Sequence, residues 1–228
     1  MKSWLFLLMC PLLFAQEPDK EARDKAFRKM LREMEECRVL YNDKKYVEAQ
    51  QAFEKFLNDY GSSAKRALID KEALRGAFLE AQLGITDSLA KQKKFDEAAA
   101  FAKRRTKGRQ VDHVILANNF IWQRDRESAM TQIEEALKKD AKDYLAWFYK
   151  GQLQTMKREF EPAAESLEKA IEYNEHFAEA YFFLGQLYHR LRKKDLTRKY
   201  WGEYLTMVPR RGERFKYVDG TLRKLGGG

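Results

Sequence analysis

Residues 113–137, 147–171 and 181–205 repeat one pattern at a 34-residue offset, and no other feature restricts the fold as tightly. His113, Trp147 and Tyr181 fall in one column, and Ala117, Gly151 and Gly185 in a second column of small residues. Ala129, Ala163 and Thr197 share a third; Ile133, Leu167 and Trp201 a fourth; Ala136, Ala170 and Tyr204 a fifth. Lys150 is a misfit between Leu116 and Leu184, and Gln154 stands between Phe120 and Tyr188. A fixed period of this length marks a stacked array, in which each unit buries its apolar face only against its neighbours. Within each period large and small apolar residues recur at helical spacing, which predicts two amphipathic helices per unit. The small column lets those helices approach closely, and the large residues fill the space beside it.

Trp147, Gly151, Phe160, Ala163, Leu167 and Ala170 in one copy resemble the tetratricopeptide repeat family. Tyr181, Leu184, Gly185, Tyr188 and Pro209 carry the same resemblance in the next. Pro209 sits where the family often ends a unit, and proline is a natural helix stop. Two earlier units are visible through their turns. Lys44–Ala49, Lys93–Ala98 and Lys157–Ala163 each read as a basic turn, an aromatic and the alanine that opens a second helix. Cys37 falls where the first unit's small residue belongs. The resemblance implies an all-α fold, an α-solenoid of about five stacked antiparallel helix pairs over residues 16–211, closed by a C-terminal capping helix and frayed tail over 212–228. Phe215, Val218, Leu222 and Leu225 supply that helix with an apolar stripe, and Gly220 weakens it by roughly 1 kcal/mol relative to alanine.

Departures from the period carry their own expectations. The first two turns lie 49 residues apart, so Ser63–Ala90 holds either a long helix interrupted near Gly76 or Gly84, or an inserted helix. Residues 106–110 are the expected bend in the array. The third unit has Arg126 where the others carry an aromatic, so its turn is expected to pack less well.

The chain opens with Lys2, an apolar run from Trp4 to Phe14, and Ala15 before the polar Gln16-Glu17-Pro18. That order reads as a secretory signal peptide over residues 1–15, and the run is short for a membrane span. An exported protein, periplasmic or secreted, is therefore expected, with lipid anchoring through Cys10 as the alternative. The short signal and the lack of Asn-X-Ser/Thr acceptors favour a bacterial envelope. Removal of the signal leaves Cys37 alone, so no internal disulfide is expected.

The net charge is +9, with basic clusters at Lys91–Lys94, Lys103–Arg109, Arg190–Lys199 and Arg210–Lys216. Such clusters are commonly solvated helix ends, and a sharper reading is attraction to an acidic protein, an anionic membrane or an anionic glycan. Nucleic acid is disfavoured by the export signal and by the lack of a recognised motif. No catalytic group, metal site or cofactor motif is expected. His113 occupies a packing column, His176 a unit junction and His189 a leading helix, and none has partners at metal-ligand spacing.

The resemblance implies that the leading helix of each unit lines a concave face. Val114, Phe148 and Phe182 repeat there as an apolar ladder, and Asn118, Gln152 and Gln186 repeat four residues on, along the same helix face. Amides suit the backbone of a bound segment, and phenylalanines its apolar side chains. Trp122, Met156, His189 and Arg190 border the same expected groove. The apolar ladder argues against the family's lysine- and arginine-lined clamp for acidic C-termini. Three functions follow as expectations: a non-catalytic scaffold holding a partner protein's segment in this groove, an adaptor for an anionic envelope component through the basic turns, or a self-assembling structural protein.

Overall fold

The computed structural model describes residues 20–61, 68–105 and 113–226. The expected signal peptide, Cys10 and the expected bend at 106–110 lie outside them. Eleven helices and no strand occur among the described residues. They are α1 (Lys20–Asn42), α2 (Tyr46–Gly61), α3 (Lys71–Lys91), α4 (Phe95–Arg105), α5 (His113–Trp122), α6 (Arg126–Lys139), α7 (Tyr144–Lys157), α8 (Phe160–Tyr173), α9 (Ala178–Arg190), α10 (Lys194–Met207) and α11 (Glu213–Gly226). The first ten pair as five helical hairpins, each packed on the next, in the layout of a tetratricopeptide-like solenoid.

Columns read from the period form the hairpin cores. Ala129, Ala163, Ile133, Leu167 and Trp201 are all but fully buried. The small-residue column sits at the crossing of each pair. A Cβ on Gly151 would come within 2.8 Å of Leu167 Cγ. Gly84 has a related purpose: the Phe53 ring lies where a Cβ would stand, so this glycine admits α2 against α3 and does not break the helix. Helix α3 is thus continuous through Gly76 and Gly84, and the first part of the segment, residues 63–67, lies outside the described residues.

Each leading helix ends the same way. Lys44, Lys93, Arg124, Arg158 and Arg192 adopt positive φ between 59° and 66°. In every case the next residue's N–H returns to a carbonyl five residues back, as Lys45 does to Leu40 and Lys193 to Tyr188, both at 3.0 Å. This is the Schellman close, which usually takes glycine because a side chain is strained there. The third turn compensates for its missing aromatic with a cap: the Asp125 carboxylate accepts from the Ser128 N–H at 3.0 Å.

The array curls until its ends meet. Glu213 N–H donates to Asp43 Oδ1 at 2.8 Å, and Arg211 pairs with Glu36. Gly212, at φ 88°, lies against Val39 and Asp43, where the left-handed backbone favours glycine. Helix α11 packs on α10 through Val218, Phe215 and Leu222.

Candidate partner-binding site

The residues that open the second helices are Tyr46, Phe95, Arg126, Phe160 and Lys194. Counting back eight residues from each gives one inner-face column: Arg38, Asp87, Asn118, Gln152 and Gln186. Counting back twelve gives Met34, Leu83, Val114, Phe148 and Phe182, and counting back four gives Asn42, Lys91, Trp122, Met156 and Arg190. The 34-residue offset fails in the first two units, so Arg38, Asp87 and Lys91 escape it. The turn start was the signal that would have found them.

The apolar ladder is a buried seam and not an open groove. Val114 is 1% exposed, Phe148 5% and Phe182 6%. Phe148 is ringed edge-on by Phe177 at 5.0 Å, Phe183 at 5.3 Å and Tyr149 at 5.4 Å. Phe182 packs on Tyr204 at 5.4 Å, with the Arg214 guanidinium 4.1 Å over its ring. Phe148 is thus covered by the following unit, and Phe182 by its own hairpin partner α10 and by α11.

The amide column divides. Asn118 is buried and donates to Asp87 Oδ1 at 2.8 Å, and the Trp122 indole N–H donates to the same oxygen at 2.6 Å. Lys91 Nζ stands 5.0 Å from the centre of the Trp122 ring. Gln152 is half-buried, and Gln186, Met156 and Arg190 are exposed. His189 leans on Trp201 at 5.1 Å, and the Arg190 guanidinium covers Phe160 at 5.1 Å. The other histidines also pack: His113 Nδ1 lies 2.8 Å from Gln132 Oε1, and His176 meets the Phe27 ring edge-on at 5.6 Å.

In the first two units charge occupies the inner-face column that carries amides in the later ones. Arg38 donates to both Glu35 and Glu80, and the Tyr144 hydroxyl donates to Glu80. The Arg38 guanidinium also lies 5.2 Å from the centre of the Phe177 ring. Burial pushes the Asp87 carboxyl up to about 6 against the opposing hydrogen bonds from Asn118 and Trp122. Burial would also raise the Glu179 carboxyl, but Arg214 and Arg38 hold it below its ordinary value. Arg214 Nη1 donates to Glu179 Oε1 at 2.5 Å, tying α11 to α9.

A cavity of about 1040 Å³ opens between α1, α3 and the loops that enter α7 and α9. Phe27, Leu31, Leu79 and Met207 line its floor. Arg28, Arg32 and Arg75 line it as well and reach solvent. Arg28 and Arg32 are one helical turn apart, so they share a face of α1. Glu35, Glu36, Glu80, Asp140 and Asp143 line it too, so charges of both signs surround the apolar floor.

No family model and no curated protein matches the chain. Solved helical-repeat structures do resemble it. The crystal structure of MamA is 20% identical, covering 62% of this chain and 87% of that one, with a TM-score of 0.45. YrrB, described as a TPR protein with an unusual peptide-binding site, is 14% identical over 82% of this chain and 88% of its own, with a TM-score of 0.45. PilF of Pseudomonas aeruginosa is 15% identical over 90% of each chain, with a TM-score of 0.46. At these identities the likeness is one of fold alone.

Proposed function

We propose that this helical repeat array is a non-catalytic protein–protein interaction scaffold of the cell envelope. In this reading it holds a segment of a partner protein on the inner side of the curl. The observation that supports it is the cavity between α1 and α3, whose volume of about 1040 Å³ lies at the upper end of the range that holds ligands or anchoring side chains. Its exposed arginines stand among carboxylates, so it favours a segment in which an apolar anchor is flanked by charged residues. The accessible members of the inner columns, Gln152, Met156, Gln186 and Arg190, extend the surface along α7 and α9. Export through the N-terminal segment would place the scaffold in the periplasm or outside the cell, free or anchored at Cys10.

Affinity capture from the organism's own envelope extract tests this reading, with Arg28→Glu/Arg32→Glu in parallel. Both residues are exposed, so the variant keeps its fold. A protein captured by the parent chain and lost with the variant is the expected result. Equal capture by both would overturn the cavity as the site.

A further inference from the structure

The five turns that join leading to second helices are more basic than the rest of the chain. Residues 42–46, 91–95, 122–126, 156–160 and 190–194 carry +1, +3, +1, +1 and +4, together more than the +9 of the entire chain. These turns lie side by side along one edge of the array. Gln92 donates across to the Tyr46 carbonyl at 3.4 Å and to Gln50 Oε1 at 3.1 Å, joining the first turn to the second. Lys91 over Trp122 joins the second to the third, and Arg190 over Phe160 joins the fourth to the fifth.

At the first two turns apolar groups face water among charged side chains, with Lys94 paired to Glu97 at 3.7 Å and Glu48 and Asp96 exposed alongside. Phe95 is 53% exposed and Val47 52%, beside the exposed Lys44, Lys45, Lys93 and Lys94. The exposure of Phe95 has a cause. Phe160, at the same register, is covered by Arg190 of the following unit. The counterpart that would cover Phe95 is Trp122, and Trp122 is drawn inward to Asp87. The turn apex also holds Lys44 and Lys93 in the left-handed backbone where glycine costs least. Charge is thus kept at the most projecting position of each turn against the local backbone preference.

We infer that this edge, centred on Lys44, Lys45, Lys93, Lys94, Val47 and Phe95, docks on an anionic lipid bilayer. Lysines near such a surface are each drawn by its negative potential, and short apolar side chains between them enter the boundary of headgroup and acyl chain. A single exposed aromatic suits that boundary better than a nucleic acid strand, which calls for a succession of stacking rings. No described helix is long and apolar enough to cross a membrane.

Vesicle flotation of the full chain tests the inference, comparing phosphatidylcholine alone with phosphatidylcholine containing about 30 mol% phosphatidylglycerol. Only the patch differs between variants, so the N-terminal apolar segment contributes equally to all. Lys93→Glu/Lys94→Glu is expected to weaken binding to the anionic vesicles by at least about tenfold. Lys93→Ser/Lys94→Ser should weaken it less, and unchanged far-UV circular dichroism certifies both folds. A Phe95→Trp chain should be quenched by brominated acyl chains beyond the level of the parent. Binding unchanged by the lysine variants, or equal on both vesicles, overturns the inference. So does a lysine-dependent affinity for duplex DNA with no extra quenching at position 95, which would assign the edge to a soluble polyanion.

Discussion

The indole of Trp201 lies directly against the α-carbon of Gly185, in the space that a Cβ there would occupy. The ring is fully buried, and its Nε1–H donates to the Phe182 carbonyl at 3.0 Å. It therefore has no cheap direction in which to retreat. Gly185→Ala is expected to lower stability by about 2–3 kcal/mol, the usual penalty for forcing extra volume into a packed core. Urea unfolding followed by circular dichroism measures this. An unchanged midpoint would mean that α9 and α10 can separate without loss.

The five left-handed cations make an opposite prediction. Arg158 has φ 66° and is exposed. Arg158→Gly removes the side-chain strain and leaves the Schellman hydrogen bonds, so it should raise stability by about 1 kcal/mol. A thermal melt of the variant checks the sign. Any fall would mean that the arginine makes contacts worth more than the strain.

Phe148 belongs to the seam between units. Phe148→Ala should cost about 3–5 kcal/mol, as large aromatic deletions in cores do. Hydrogen exchange should quicken in α7 and α9 together, because the Phe148 ring packs on Phe183 of α9 and on Phe177 just before it. A variant that loses a partner at full stability would return this residue to the binding surface.

Asp87 gives a pH signature. Its carboxyl is raised from 3.8 to about 6, chiefly by burial. Between about pH 4 and 6 the folded chain keeps a proton that the unfolded chain has released, so this group lowers stability as pH rises through that window. Asp87→Asn retains an oxygen to accept from Asn118 and Trp122 and removes the charge. The variant should gain on the parent by on the order of 2 kcal/mol at pH 7, and by little at pH 4. Paired melts at the two pH values decide it, and a constant difference would exclude the titration.

Arg214 holds the last helix. Its partner Glu179 lies in a poorly solvated site, so Arg214→Met leaves a buried carboxylate without its nearest cation, at a cost of about 3–5 kcal/mol. Exchange protection of α11 should fall first. If α11 stays protected, the apolar contacts of Val218 suffice to hold it.

Much of this architecture was legible in the residues. The third to fifth units announced themselves because their spacing is uniform, and the columns at Ala163, Leu167 and Trp201 are the cores that the period required. The first two units were blurred because their turns are 49 residues apart and the next interval is 31, from Phe95 to Arg126. Gly84 looked like a break because a glycine that admits a neighbouring ring is indistinguishable, in sequence, from one that ends a helix. The inner face was harder still. Whether Phe148 faces solvent or Phe177 depends on how tightly successive units wind, and that angle is set by contacts between units rather than by the pattern within one. The same winding brings Arg38, Glu80 and Tyr144 together from units that share no register.

The meeting of α1 with α11 bears on how the protein comes apart. A linear stack melts from its termini, one hairpin at a time, because the outermost hairpin has only one neighbour to lose. Here Asp43 receives the Glu213 N–H and Glu36 receives Arg211, so neither the first nor the last described helix is left with one neighbour. Each hairpin is braced on two sides, as in a loop of links fastened by a clasp. Such a molecule should unfold in one concerted step, like a small globular domain, and opening the clasp should return it to piecemeal fraying.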